Sequence, residues 1–293
     1  MIAQMCGRFT LRTPASVLIE MFGLGTFGLG GDADEPALPL FEPRYNIAPT
    51  QSIWAVREST VTEPAAAAST TTGSSREAVQ LHWGLIPSWA KDVVIGNRMI
   101  NARAESVAEK PAYRHAFRKQ RCLILTDGYY EWQKGGTGPK QPYYFHRPDG
   151  KPFALAGLWE RWEGDPSSPP DRDSSVKKKA TSERQQTLFG EEVDEERDAN
   201  TDAAAADSPK SVIESCTIIT TRPNALAATV HDRMPVILHD RDFGTWLDRN
   251  EQDAEQLGQL LVPLAEDDFL IAEPVSTFVN KPTNDGPACI EPL

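Results

Sequence analysis

At 293 residues the chain fits one large domain or two small ones, and 40% hydrophobic residues are ample for a core. A net charge of −12 and a pI near 5.0 exclude a uniformly basic nucleic-acid protein. No charged-then-apolar leader, long apolar span or lipidation signal is present, so export and membrane insertion are not expected.

Charge is unevenly placed. Residues 163–210 hold thirteen Asp/Glu and seven Lys/Arg, a balance of −6, which leaves −6 on the rest and room for a local basic site. The cysteines, Cys6, Cys122, Cys216 and Cys289, show no CxxC and no even spacing. Cys122 and Cys216 lie in apolar runs and read as reduced core residues, which suits a reducing cytoplasm. Five His and four Cys without ligand spacing offer no metal site, and no cofactor is expected.

In chain order, Met5-Cys6-Gly7-Arg8-Phe9 opens a first strand, and a helix follows over Ser16 to Phe22 with Pro14 near its start. Gly23 to Gly31 contains the letters of GxGxxG, but no strand leads into it and Pro36 and Pro39 follow. It reads as a flexible loop rather than a phosphate cradle. Phe41 to Gln51 is a bent, Pro-bounded segment leading into a strand at Ser52 to Val56. The Ser/Thr/Ala-rich stretch 58–78 reads as a long loop between two hairpin strands, the second being Val79 to Gly84. A basic helical run, Tyr113 to Arg121, precedes a buried strand at Cys122 to Leu125, a turn at Asp127-Gly128, and Tyr129-Tyr130-Glu131-Trp132. On that run, Arg114, Arg118, Lys119 and Arg121 are weighed as a plain solvated face or a basic patch.

Further strands read at Gln141 to His146, Pro152 to Trp162 and Cys216 to Thr221. Residues 163–210, with Lys177-Lys178-Lys179 and an acidic run from Glu191 to Asp198, have the composition of a disordered insertion. Helices are expected at Asn224 to Ala227, Asp242 to Asp248 and Glu251 to Leu261, and a terminal segment runs from Val275 to Leu293. Many strands, few helices and no regular βαβ alternation indicate an α+β fold.

Cys6 carries chemistry if everything through Met5 is removed. It then holds a free α-amine and a thiol on one residue, with ordinary pKa values of roughly 7.7–8.0 and about 8.5. An aldehyde meeting the pair forms an imine with the amine, and the thiol closes a five-membered thiazolidine by an intramolecular attack. Gly7 permits close approach of a substrate, and Arg8 can pair with a phosphate. Glu131, between Tyr130 and Trp132, is expected to be desolvated, which raises a carboxyl pKa toward a useful range. Each such residue alone has a bland reading: a buried thiol, a solvated strand carboxylate, a surface His, a turn-capping Asn. Trp83, Trp159 and Trp162 read as core, and His82, His146 and His239 as structural or surface.

Taken together, Met5 to Phe9, Arg44-Tyr45-Asn46-Ile47-Ala48-Pro49, Trp83-Gly84 to Pro87, Asn101-Ala102-Arg103-Ala104-Glu105, Glu131-Trp132 and His231-Asp232-Arg233-Met234-Pro235 resemble the SOS response-associated peptidases. These proteins process and shield abasic sites in single-stranded DNA. The resemblance covers most of the chain outside 23–38, 58–78 and 163–210. It implies a compact α+β domain over 5–293, built on curved, mainly antiparallel β-sheet with peripheral helices; the protein is expected to be a monomer, cytoplasmic and nucleoid-associated at replication forks.

The resemblance also implies roles. Cys6 resembles the thiazolidine-forming residue, Asn101 the group that orients its amine, Glu131 the acid/base of sugar ring opening and reversal, and His231 its partner. Arg8, Arg103 and Arg233 are similar to phosphate contacts, and Trp89 and Trp132 to aromatic contacts near displaced bases. The family begins Met-Cys, whereas Met1-Ile2-Ala3-Gln4 stand in front here. Translation from Met5 is the favoured explanation, and self-cleavage of the leader the other. A Cys-nucleophile peptidase or amidohydrolase is the competing function, and a non-catalytic DNA-binding adaptor a third. Finally, Gln185-Gln186-Thr187-Leu188-Phe189 resembles the short peptide by which bacterial repair proteins bind the sliding clamp.

Overall fold

The computed structural model describes residues 6–27, 41–59, 76–133, 138, 140–166, 211–265 and 269–293. Strand β1 (Phe9–Leu11) leads into helix α1 (Ala15–Phe22), whose buried residues Ala15, Leu18 and Phe22 recur at helical spacing on one face. Gly23 ends the helix at φ 61°, a left-handed cap that favours glycine, with its N–H donating to Ile19 O. The next residues are not a plain loop: Leu24–Phe27 form β2, a parallel neighbour of a later strand. Glycine-rich composition hid this because the partner strand supplies what local propensity lacks.

Then come β3 (Arg44–Ile47), β4 (Ser52–Glu58), β5 (Arg76–Trp83) and β6 (Asn101–Arg103). Helix α2 (Arg114–Lys119) precedes β7 (Arg121–Thr126), β8 (Gly128–Trp132), β9 (Pro142–His146), β10 (Phe153–Gly164) and β11 (Ser211–Thr221). Helix α3 (Ala225–Ala228), the two-residue strands β12 (Met234–Pro235) and β13 (Ile237–Leu238), helices α4 (Phe243–Leu247) and α5 (Ala254–Gln259), and β14 (Ile271–Pro274) complete the order. The fold is α+β, and its strand pairs are mainly antiparallel.

One sheet runs β14-β9-β8-β1-β3 and the larger β12-β11-β10-β7-β4-β5-β2. In the larger sheet β11 also pairs with β5, in parallel, at Ser215–His82 and Cys216–Trp83. That contact closes β5, β4, β7, β10 and β11 into a ring, so these strands lose their open edges. Cys122 and Cys216 are buried within it. The hairpin β4–β5 brackets the expected long loop, with pairing continuing to Glu58–Arg76. Likewise β10 and β11 pair to Gly164–Ser211, so Glu163 and Gly164, assigned to the insertion by composition, belong to β10, because the partner strand supplies their pairing. Gln185, Leu188 and Phe189 lie outside the described residues.

One apolar core joins both sheets, and Trp83 is a main link. It is fully buried, donates from Nε1 to Ile100 O (3.0 Å) and meets Phe9 edge-on at 5.2 Å. A smaller cluster of Tyr130, Tyr144, Val275, Val279 and Cys289 packs the C-terminal segment on the five-stranded sheet. Trp159 and Trp162 are buried as expected. Arg121 corrects the view of a solvated basic face. It is 3% exposed, donates to Trp246 O (2.5 Å), Phe117 O (2.8 Å), Asp248 O and Glu251 O (2.9 Å), and burial pushes its pKa down to about 10. It belongs to β7 rather than the helix, and its five donors match the carbonyls left open near the end of α4. Arg114, Arg118 and Lys119 are exposed. No helix among the described residues is long and apolar enough to cross a membrane.

Candidate active site

Strand β8 builds the site. Gly128 starts it because a Cβ there would lie 2.5 Å from the Tyr144 ring and 2.6 Å from Phe145 O, so only glycine lets β8 and β9 approach. Beyond it, period-two alternation divides the side chains. Tyr129 and Glu131 share one face, and Tyr130 and Trp132 share the other. On the first face Tyr129 stacks on Phe145 (centroids 4.9 Å, 4° between planes) within the main core. On the second, Tyr130 packs on Tyr144 (5.1 Å) and Trp132 (6.5 Å).

Register then brings Cys6 to Glu131. β1 pairs with β8 as Phe9–Tyr129, and Tyr130 N–H donates to Arg8 O at 2.9 Å. Continued outward, this places Gly7 level with Glu131. The Cys6 main-chain nitrogen donates to Glu131 Oε1 at 2.7 Å, with Cys6 1% and Glu131 3% exposed. The desolvation expected for Glu131 is therefore present. Burial first, and the Glu131 charge second, push the Cys6 thiol well above its ordinary pKa, so the sulfur is held protonated. Cys6 also has φ 38°, a left-handed backbone that costs a non-glycine residue about 1–3 kcal/mol.

Arg8 and Trp132 meet on the other side. With Gly7, Ala48, Pro49, Thr50, Gln51 and Pro282 they line an open groove of about 490 Å³. Arg8 Nη1 donates to Asn46 Oδ1 (2.8 Å) and Val279 O (2.9 Å), and its guanidinium lies 6.0 Å from the Trp132 ring centroid. Burial lowers its pKa from the ordinary arginine value. Trp132 Nε1 donates to Asn280 Oδ1 at 2.7 Å. Asn46, fully buried, ties the groove floor to the C-terminal segment through Val279 O (3.0 Å), Lys281 O (3.0 Å) and Asn284 O (2.7 Å). Arg8 is thus held by carbonyls as well as facing the groove, which the sequence motif alone did not reveal. Asn280 was missed too, because no local pattern marks a residue that acts from 148 positions away.

His231 stands on the loop from α3 to β12, 6% exposed, at a surface hollow lined by Pro223, Ala228, Thr229, Val230 and Asp232. Arg233 N–H donates to its Nδ1 (3.2 Å), and Asp232 Oδ1 lies 3.2 Å from the same nitrogen. The Arg233 carbonyl oxygen lies 3.4 Å from the same Nδ1, so the ring tautomer sets which of these partners Nδ1 engages. Gln133, two residues past Glu131, donates from Nε2 to Thr229 O (3.2 Å), so the end of β8 and the His231 loop meet. Asn101 begins β6, paired in parallel with Ile218, directly after the Ile100 carbonyl that receives Trp83.

The three arginines differ. Arg103 is exposed. Arg233 clamps Glu105 with two bonds (2.5 and 3.0 Å) and donates to Thr220 O at 2.6 Å, so it braces the Asn101–Glu105 segment. That pairing holds the Glu105 carboxyl below its ordinary pKa. Trp89, on the loop after β5, is 61% exposed, whereas Trp132 is half-buried. Among the described residues no group of three His, Cys, Asp or Glu could hold a metal.

Comparison with known proteins identifies the family. The profile of the SOS response associated peptidase (SRAP) family matches residues 5–282. The abasic site processing protein YoqW of Bacillus subtilis is 34% identical over 287 residues, 98% of this chain and 99% of its own. The abasic site processing protein HMCES of Gallus gallus is 28% identical over 243 residues, 75% of this chain and 59% of its own. A crystal structure of a Bacteroides thetaiotaomicron protein, 22% identical, superposes with a TM-score of 0.68 over 98% of this chain and all of its own, which supports the fold alone. The chain belongs to the SOS response associated peptidase family.

Proposed function

We propose that this protein, in the form beginning at Cys6, binds single-stranded DNA and captures abasic sites as a thiazolidine crosslink. The observation that carries the reading is the 2.7 Å bond between the buried Cys6 nitrogen and the buried Glu131 Oε1, with Gly7 and Arg8, the next two residues, lining an open groove. The names of the relatives, abasic site processing proteins, support the substrate class.

The chemistry runs as follows. An abasic sugar is mostly a closed hemiacetal, and Glu131 with His231 moves the proton that opens it. The Cys6 amine attacks the aldehyde carbon, water leaves, and a C=N bond forms. The thiol sulfur then adds to that carbon while its proton passes to the nitrogen, so water is the sole by-product. A protonated thiol suits this order, because it leaves the first attack to the amine and keeps its proton for ring closure. The same feature weighs against a thiolate-dependent peptidase acting on other polypeptides. Asn101 orients the amine, Arg103 reaches phosphates, and Trp89 and Trp132 stack on bases. Arg8 and Arg233 act chiefly by shaping the site.

Self-cleavage before Cys6 is a second activity that one observation favours. A free N-terminal residue has no φ, so hydrolysis of the preceding peptide bond removes the strain of the 38° torsion. Incubating purified protein with abasic and intact oligonucleotides tests the main reading. A heat-stable shifted band with the abasic strand alone is expected, and its absence in protein whose intact mass begins at Cys6 refutes the thiazolidine mechanism. The peptide around Gln185, Leu188 and Phe189 would dock on a sliding clamp. A labelled peptide spanning 183–191 should bind the clamp and a Leu188→Ala/Phe189→Ala control should not.

A further inference from the structure

Tyr129 carries a polar group that the chemistry above does not use. Its residue is 0% exposed, and its hydroxyl has no hydrogen-bond partner among the described residues. Leaving a buried hydroxyl without a partner is costly, and the ring would pack equally well as Phe. Alternation on β8 puts this hydroxyl on the face of Glu131, whose Oε1 accepts from the Cys6 nitrogen at 2.7 Å. Stacking on Phe145 at 4° fixes the ring plane, so the hydroxyl is held in one place. Burial raises the phenol pKa, and the charged forms of Cys6 and then Glu131 raise it further, so both groups lie within electrostatic reach. The thiol in turn feels Glu131. Phe9, paired with Tyr129, and Phe145, stacked on it, are apolar.

We infer that Tyr129 is a thiol-tuning residue: its hydroxyl donates a hydrogen bond to the Cys6 sulfur as that sulfur gives up its proton in ring closure. The bond is made to the charged form and not to the resting thiol, which explains why the donor stands unpaired beside a protonated Cys6. Stabilising a developing charge with a donor already in place, at no cost of reorganisation, is the logic of an oxyanion hole applied to sulfur. No bond is made or broken at the phenol, which keeps its proton throughout. This inference rests on the proposed reaction for its purpose, but the contact itself can be measured without DNA.

The experiment follows alkylation of Cys6 by iodoacetamide against pH, read site by site by peptide mass mapping, in protein that begins at Cys6. Tyr129→Phe should raise the midpoint by about one pH unit, a tenfold loss of thiolate at fixed pH, as expected for one hydrogen bond to a charged group. Tyr130→Phe, which loses a bond to Tyr45 O on the opposite face, should leave the midpoint unchanged. Placing 3-fluorotyrosine at 129, a stronger donor of almost the same shape, should move the midpoint down, which keeps the test decisive if Tyr129→Phe folds poorly. An unchanged or lowered midpoint in Tyr129→Phe overturns the inference, the latter by assigning the hydroxyl to Glu131. Shifted midpoints in protein that forms no adduct with an abasic oligonucleotide would uphold the contact and refute the proposed reaction instead.

Discussion

The two faces of β8 are made from alternate residues of one five-residue strand, yet they do different work. Tyr129 and Glu131 lie on a dry, buried face where the Cys6 nitrogen is bonded. Tyr130 and Trp132 point toward the C-terminal segment and an open groove, where Trp132 is held by Asn280. A pleated strand lets the proposed proton-transfer groups and the proposed strand-binding groove lie on opposite faces. Tyr130 is as buried as Tyr129, and only at Trp132 does the second face open to the groove. The comparison teaches that losses on the first face should appear in rates, and losses on the second in affinity or stability.

Breaking the dry face should have the largest effect. Cys6→Ala should abolish heat-stable adducts, and Glu131→Gln should slow both formation and reversal by roughly 10²–10⁴-fold, with unchanged DNA affinity. Single-turnover rates with an abasic oligonucleotide check both, and a Glu131→Gln protein that forms adduct at the wild-type rate would remove the carboxyl from the mechanism.

The groove face should answer through stability first. Asn46→Ala removes three carbonyl contacts and one to Arg8 at a fully buried position, so about 2–4 kcal/mol should be lost in urea titrations. Affinity for intact single strands should fall as Trp132 and Arg8 lose their support. Stability lost with affinity unchanged would separate the C-terminal segment from the groove.

A finer contrast lies between arginines. Arg103→Ala should reduce the log–log salt slope of single-strand binding by about 0.7, the value for one phosphate. Arg233→Ala, which unpairs Glu105, should weaken stability and leave that slope nearly intact. Equal slope changes in both would return Arg233 to the DNA.

The smallest effect is a pH trend. Burial raises the pKa values of Cys6, Cys122 and Cys216 in the folded state. Above about 8.5 the unfolded thiols ionise while the folded ones stay neutral, so protons are lost on unfolding and stability falls as pH rises. Below that value their contribution is fully present. Urea midpoints should therefore decline from about pH 8.5 upward, and the decline should shrink in Cys122→Ala.

The residues themselves determined a good deal. Alternation and apolar runs marked β5, β7, β10 and β11, and the composition of 163–210 marked an insertion that joins two paired strands. Cys6 and Glu131 could be singled out because an amine beside a thiol, and a carboxyl among aromatic rings, have chemistry that depends on residue type. Contacts between distant segments were not legible. The parallel closure of β11 on β5, the strand in the glycine-rich stretch and the brace from Asn46 to residues 279–284 each join residues whose local patterns are silent about one another. Arg121 and Arg233 looked like free cations because a sequence shows charge but not which carbonyl or carboxylate will face it. Only tertiary structure decides that, since partners across a hundred residues are set by strand register and burial, which are properties of the whole fold.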